Sequence, residues 1–328
     1  MAAAFHHSAF GTTVPRELRS RWIARLETSR APEVAVIGVP FDGGTYGFRG
    51  ASAGPLGIRW ALHAEDLRLF GRGVVDLGDV PYWPGPFLDE MCSVALLSRA
   101  RSMRFGCPDR HDPVGMLSVH EAVVRVASTT GVRVLSLGGD HSIAATALCG
   151  LARKGVALVH VDAHGDLSEG RDGLPLLHSS WVHYADMCKK LPVIVQVGID
   201  SGEEIAKWAA DRVRRVGRDE ILKDPGKTAV WVAQEIRQCG ATYAYLSVDI
   251  DVIDKQEAPA TGLPADFGLP SEVVGAFIGE LGRQVPLTGA DLVEVAPPLV
   301  GLSDWGSERT CVTAARLASV LAEALMGS

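Results

Sequence analysis

From residue 33 onward, short apolar runs alternate with longer stretches of helical period. The runs at 33–40, 132–137, 156–161, 193–199, 243–250 and 291–295 are apolar almost throughout, and a weaker one lies at 72–80. Continuous rather than alternating polarity predicts strands buried on both faces, as in a mainly parallel sheet. The stretches at 58–69, 116–128, 143–154, 228–238, 309–325 and from 271 onward predict the crossover helices that parallel strands need. The charged stretch 203–215 also reads as helical, and the proline-containing stretch 82–113 as an irregular insertion with a short helix. The expected class is α/β, a mainly parallel sheet covered on both faces. No linker, low-complexity tract or repeat divides residues 33–328, which are expected to form one domain. Residues 1–32 read as an extension in which Leu18, Trp22, Ile23 and Leu26 share one face of a short helix.

The polar residues gather just after the strands, where ligands bind in open α/β sheets. The run 156–161 ends in Asp162, His164 and Asp166, and residues two apart on an extended chain point the same way. The run 132–137 ends in Gly138-Gly139-Asp140-His141-Ser142, and 243–250 carries Asp249 with Asp251 beyond it. Any one of these segments alone reads as a helix cap or a hydrogen-bonded strand end. Three at one end of one sheet do not, because clustered carboxylates repel one another unless a cation lies among them. Mixed imidazole and carboxylate donors without thiolate suit Mn²⁺, Ni²⁺, Fe²⁺ or Zn²⁺. Asp162, Asp166, Asp249 and Asp251 with His141 and His164 exceed the needs of one ion, so a pair bridged by carboxylates, roughly 3.5–4 Å apart, is expected.

Composition narrows the partners. The 328 residues carry a net charge of −7, which disfavours nucleic acid or an anionic membrane as the main partner and favours a small cationic ligand. Six scattered cysteines without a C-x-x-C pair read as reduced thiols of a cytoplasmic protein. No apolar run reaches the roughly 18 residues of a membrane span. The arginines of residues 1–30 faintly resemble a transit peptide, without the apolar core of a secretory signal. The glycine-rich stretch 41–57 lacks the spacing of a phosphate-binding loop.

The segments 138–142, 162–166 and 247–254 resemble, in order, the three signature motifs of the ureohydrolases, the arginase and agmatinase family. Gly38-Val39-Pro40-Phe41-Asp42-Gly43-Gly44-Thr45 is similar to the agmatinase-like branch. The resemblance implies an arginase-like three-layer αβα sandwich and a binuclear centre, usually of manganese, with nickel as the other choice. It implies hydrolysis of a guanidino C–N bond, by hydroxide bridging the ions, to urea and an amine. Carried over, His141, Asp162, Asp166 and Asp249 hold one ion, and Asp162, His164, Asp249 and Asp251 the other. By the same likeness Asp166 handles the proton, His178 shuttles protons beside the substrate, and Glu294 pairs with the guanidinium. Glu203, next to Glu204, falls where arginases recognise the substrate amino group. Homo-oligomers, trimers or hexamers, are usual in the family, and hetero-oligomers are the other arrangement.

Two departures from the family pattern bear on substrate: Lys255 stands where Pro is usual, and Leu263 where Thr is usual. The candidates are therefore agmatine, a guanidino acid, guanidine or an alkylguanidine. Two competing readings are a single-zinc deacetylase of arginase-like fold and a non-catalytic partner in a heteromeric ureohydrolase. His160 and Tyr245 read as satisfied core groups, and Trp181 and Trp305 as either pocket wall or core; His120 and His183 have no motif context.

Overall fold

The apolar runs form β1 (Val34–Gly38), β2 (Val74–Asp79), β3 (Arg133–Leu137), β4 (Val156–Val161), β5 (Ile194–Val197), β7 (Tyr243–Asp249) and β8 (Leu287–Val293) in a computed structural model, and an unexpected strand, β6 (Val213–Val216), joins them. The structure describes residues 32–67, 69–70, 73–81, 88–105, 113–199, 204–300 and 305–327. All eight strands lie parallel in one sheet of order β2-β1-β3-β8-β7-β4-β5-β6. The split of burial follows the two-residue period. In β4, Ala157, Val159 and Val161 enter one core, and Val156 and Leu158 the other.

Helices cover both faces, giving the three layers. On one side lie α1 (Gly54–Ala64), α7 (Pro225–Gln238), α8 (Ser271–Gln284) and α9 (Trp305–Met326). On the other lie α3 (Met116–Thr129), α4 (Ser142–Gly150) and α5 (Trp181–Lys189). Helices α2 (Val94–Phe105) and α6 (Arg218–Lys223) complete the described set. Asp224 caps α7, its side chain accepting the Lys227 main-chain N–H at 2.9 Å ahead of Pro225 at the first helical position.

Three expectations are corrected. The stretch 203–215 is not helical in its described part: a 3₁₀ turn (Lys207–Ala209) leads into β6, whose Val213 and Val216 are buried. Rung-by-rung pairing with β5 outweighs the helical reading of a charged run. Strand β8 ends at Val293, so Glu294 stands beyond the strand rather than within it. The last helix begins at Trp305, four residues before the expected start. The expected helix in residues 1–32 lies outside the described residues, apart from residue 32 itself, and so do Glu203 and the Trp305 side chain.

Candidate active site

Four neighbouring strands, β3, β8, β7 and β4, end on one polar cluster at the middle of the sheet. Gly138 and Gly139 let the chain turn there: a Cβ on Gly139 would lie 2.0 Å from the Phe41 carbonyl oxygen, and one on Gly138 2.6 Å from a Val293 methyl. The next two residues part company. Asp140, which follows the same strand as His141, turns away to hold the earlier loop at residues 44–45. Its carboxylate accepts the main-chain N–H groups of Gly44 (2.7 Å), Thr45 (3.1 Å) and Ser142 (3.1 Å), and the Ser142 hydroxyl.

His141 points into the cluster. Its Nδ1 lies 3.1 Å from Asp162 Oδ2, 3.1 Å from Asp249 Oδ2 and 3.2 Å from Asp166 Oδ2. Its tautomer follows from its other nitrogen. Tyr245 and Ser247 donate to the two oxygens of Asp291, both at 2.6 Å, so Ser247 Oγ is left to accept from His141 Nε2 at 2.8 Å. Nε2 thus keeps its hydrogen, and Nδ1 faces three carboxylate oxygens, through a proton when no cation is present and as a free lone pair once a metal ion takes the proton's place, which is the arrangement of a metal ligand. Beside it, His164 Nδ1 lies 3.0 Å from Asp251 Oδ2 and 3.5 Å from Asp162 Oδ1. Asp162 thus faces both histidines, one oxygen toward each, as a bridging carboxylate would.

The electrostatics record the crowding. Burial, then the charges of Asp251 and Asp162, raise Asp249 well above the carboxylate range. Burial and Asp162 push Asp251 up to about 7. Burial pushes Asp162 the same way, but the His160 charge and hydrogen bonds from His141, His160 and His164 hold it well below its usual value. Burial would lower His141, yet its hydrogen bonds to Asp162, Asp166 and Asp249 raise it; bonds to Asp162 and Asp251 raise His164 to about 12. A field this favourable to a proton is favourable to a cation. The donor set of imidazole nitrogen and carboxylate oxygen fits divalent ions, so the residues present suit the expected centre.

Two site residues have strained backbones: Asp166 (φ 50°) and Glu294 (φ 61°) sit in the left-handed region. Each is held by contacts from other segments of the chain. Trp181 Nε1 donates to Asp166 Oδ2 at 2.9 Å while its ring stacks on His141 at 4.6 Å; fully buried, Trp181 is a platform beneath the site. Glu294 donates its N–H to Gly139 O (2.9 Å), and its Oε1 accepts the His141 N–H (2.8 Å). His178 Nδ1 lies 3.7 Å from Glu294 Oε1, and its N–H donates to Gly44 O at 3.0 Å. Burial lowers the His178 pKa, but the bond and charge of Glu294 outweigh it and raise it.

His141, His164, Asp166, His178, Asp249, Asp251 and Glu294 line a cavity of about 490 Å³. The predicted site residues within the described chain are therefore brought together, with Asp162 buried beneath them. Glu203 is not described.

Sequence reasoning missed a polar row below the site. Ser136, Asp291, Ser247, His160, Gln196 and Arg215 occupy one register level on six consecutive strands. Arg215 Nε donates to Gln196 Oε1 (2.9 Å), which fixes the amide so that Gln196 Nε2 faces Gly165 O (2.6 Å) and His160 Nδ1 (3.2 Å). His160 Nε2–H is then the donor to Asp162 Oδ2 at 2.7 Å. His160 is satisfied, as expected, but its partner is a candidate ligand. The available signal was phase: His160 and Ser247 each stand two residues before a motif aspartate.

The arginase-family profile matches residues 32–323. The human mitochondrial guanidino acid hydrolase is 32% identical over 289 residues, covering 84% of this chain and 75% of that protein. A guanidinopropionase of Pseudomonas aeruginosa is 28% identical, covering 82% and 80%. Among solved structures, the proclavaminate amidino hydrolase of Streptomyces clavuligerus superposes with a TM-score of 0.70 at 28% identity, over 91% of this chain and 93% of that one. With the profile spanning nearly the whole described sheet and its site, the chain belongs to the arginase family.

Proposed function

We propose that this arginase-family hydrolase cleaves the C–N bond of a guanidino group to give urea and an amine, at a centre for two divalent ions. His141, Asp162, Asp166 and Asp249 would hold one ion, and Asp162, His164, Asp249 and Asp251 the other. The observation that carries the reading is His141 Nδ1 facing three carboxylate oxygens while Nε2 is engaged by Ser247. The ions supply Lewis acidity, which makes water a competent nucleophile near neutral pH. Glu294 offers a planar carboxylate for the guanidinium, fixed by the His141 N–H. Asp166 takes the proton of the attacking water and delivers it to the leaving nitrogen as the tetrahedral carbon collapses. His178, whose Nε2 has no hydrogen-bond partner among the described residues, relays protons beside Glu294.

Residues 33–328 act as one catalytic unit, in a homo-oligomer of the reducing cytoplasm; among the described residues, no helix is long and apolar enough to cross a membrane. The test is urea release by the full chain loaded with Mn²⁺ or Ni²⁺, across agmatine, guanidino acids, guanidine and alkylguanidines, with metal content measured alongside. Two ions per chain and urea from at least one compound are expected. One zinc per chain, deacetylation and no urea would overturn the reading.

A further inference from the structure

The cavity is charged oppositely at its two ends. Its carboxylates, Asp166, Asp249, Asp251 and Glu294, belong to the floor. Among its described lining residues, Arg171 is the one Lys or Arg, and it stands on the loop following Asp166. That loop turns sharply: Arg171 N–H donates to Leu174 O (3.1 Å) and Leu174 N–H to Arg171 O (2.8 Å). Asp172 (φ 51°) and Gly173 (φ 80°) supply the positive φ values of a mirror-image two-residue turn. The guanidinium lies over the Tyr46 ring, 4.9 Å from its centre, a cation–π contact that aims a long side chain. The Tyr46 ring meets His178 edge-on at 4.9 Å, and its hydroxyl reaches Ser179 Oγ at 3.4 Å. A continuous run of groups thus leads from Glu294 through His178 and Tyr46 to Arg171. The ion pair of Arg171 with Asp172 uses Nε at 3.5 Å between two exposed side chains, so water screens it heavily.

Resting on the proposed guanidino hydrolysis, we propose that the substrate is an ω-guanidino carboxylic acid whose carboxylate is received by Arg171. The guanidinium enters toward Glu294, and the methylene spacer passes the apolar wall of Phe48 and Leu263. A guanidinium side chain suits a planar carboxylate, which it binds through two parallel hydrogen bonds. A distal ammonium, as in agmatine, would instead meet a like charge at the mouth.

The test compares urea release by the metal-loaded full chain from three compounds that each carry a four-carbon chain on the guanidine: 4-guanidinobutanoate, agmatine and butylguanidine. The acid is expected to exceed both others by roughly tenfold or more in kcat/KM. In R171A the preference for the acid over butylguanidine falls about tenfold or more, mainly through KM; R171K retains part of it, and R171E turns the order toward agmatine. Urea from agmatine or butylguanidine with no preference for the acid, or a preference unmoved in R171A and R171E, overturns this assignment alone. No urea from any compound overturns the reaction reading and this assignment with it.

Discussion

The floor of the cavity and its mouth are built by different means. At the floor, His141, Asp162, Asp249, Asp251 and Glu294 are at most 7% exposed and stand at the ends of four adjacent strands. At the mouth, Tyr46, Phe48 and Leu263 are 58%, 70% and 56% exposed and stand on loops. Floor positions are therefore set by sheet register and buried hydrogen bonds, whereas mouth positions are set by local turns. Substituting a floor residue disturbs the shared chemistry, and substituting a mouth residue disturbs the choice of substrate. His164, 43% exposed, is the floor residue nearest in character to the mouth.

The comparison breaks most visibly at Asp249. D249N is expected to lower urea release by ~10³-fold or more and to reduce metal content, because it removes a carboxylate facing His141. Without metal, the same variant should melt about as high as the metal-free wild type, since burial and the charges of Asp251 and Asp162 already keep Asp249 protonated. Retained activity, or a lower melting point of the metal-free variant, would undo the account of the floor. A middle-sized effect belongs to the polar row. Q196L removes the donor that sets the His160 tautomer and should weaken metal affinity by about 10- to 100-fold, seen in chelator competition, with the fold intact by circular dichroism. The smallest effect is expected at the mouth. L263T should alter kcat/KM ratios among substrates within about tenfold while leaving metal content unchanged; a loss of metal would place Leu263 with the floor.

How much of this was legible depends on which residues carry the information. The strands ending at Asp162 and Asp249 were readable because their apolar runs stop abruptly in charge, and the motif resemblance then gave each charge a role. Asp140 was not, since nothing local distinguishes an aspartate that holds the 44–45 loop from one that faces a metal. The left-handed turn of Glu294 is fixed by contacts to Gly139 and His141, distant in sequence. Likewise, His160, Gln196 and Arg215 become neighbours through the order β4-β5-β6 alone. The mistaken helix at 203–215 has the same origin: a charged edge strand carries too weak a pattern until its partner is known.

The strand order also governs when the enzyme comes into being. Strand β8, the last to be synthesised, inserts between β3 and β7, the middle of the sheet. Until it arrives, both neighbours expose unpaired edges, and the two halves of the cluster, His141 on one side and Asp162 with Asp249 on the other, have no common frame. A nascent chain therefore holds most of the candidate metal ligands long before it has a place to bind metal. Premature capture of an ion is disfavoured by topology itself, and completion of the C-terminal segment is the event that switches chemistry on.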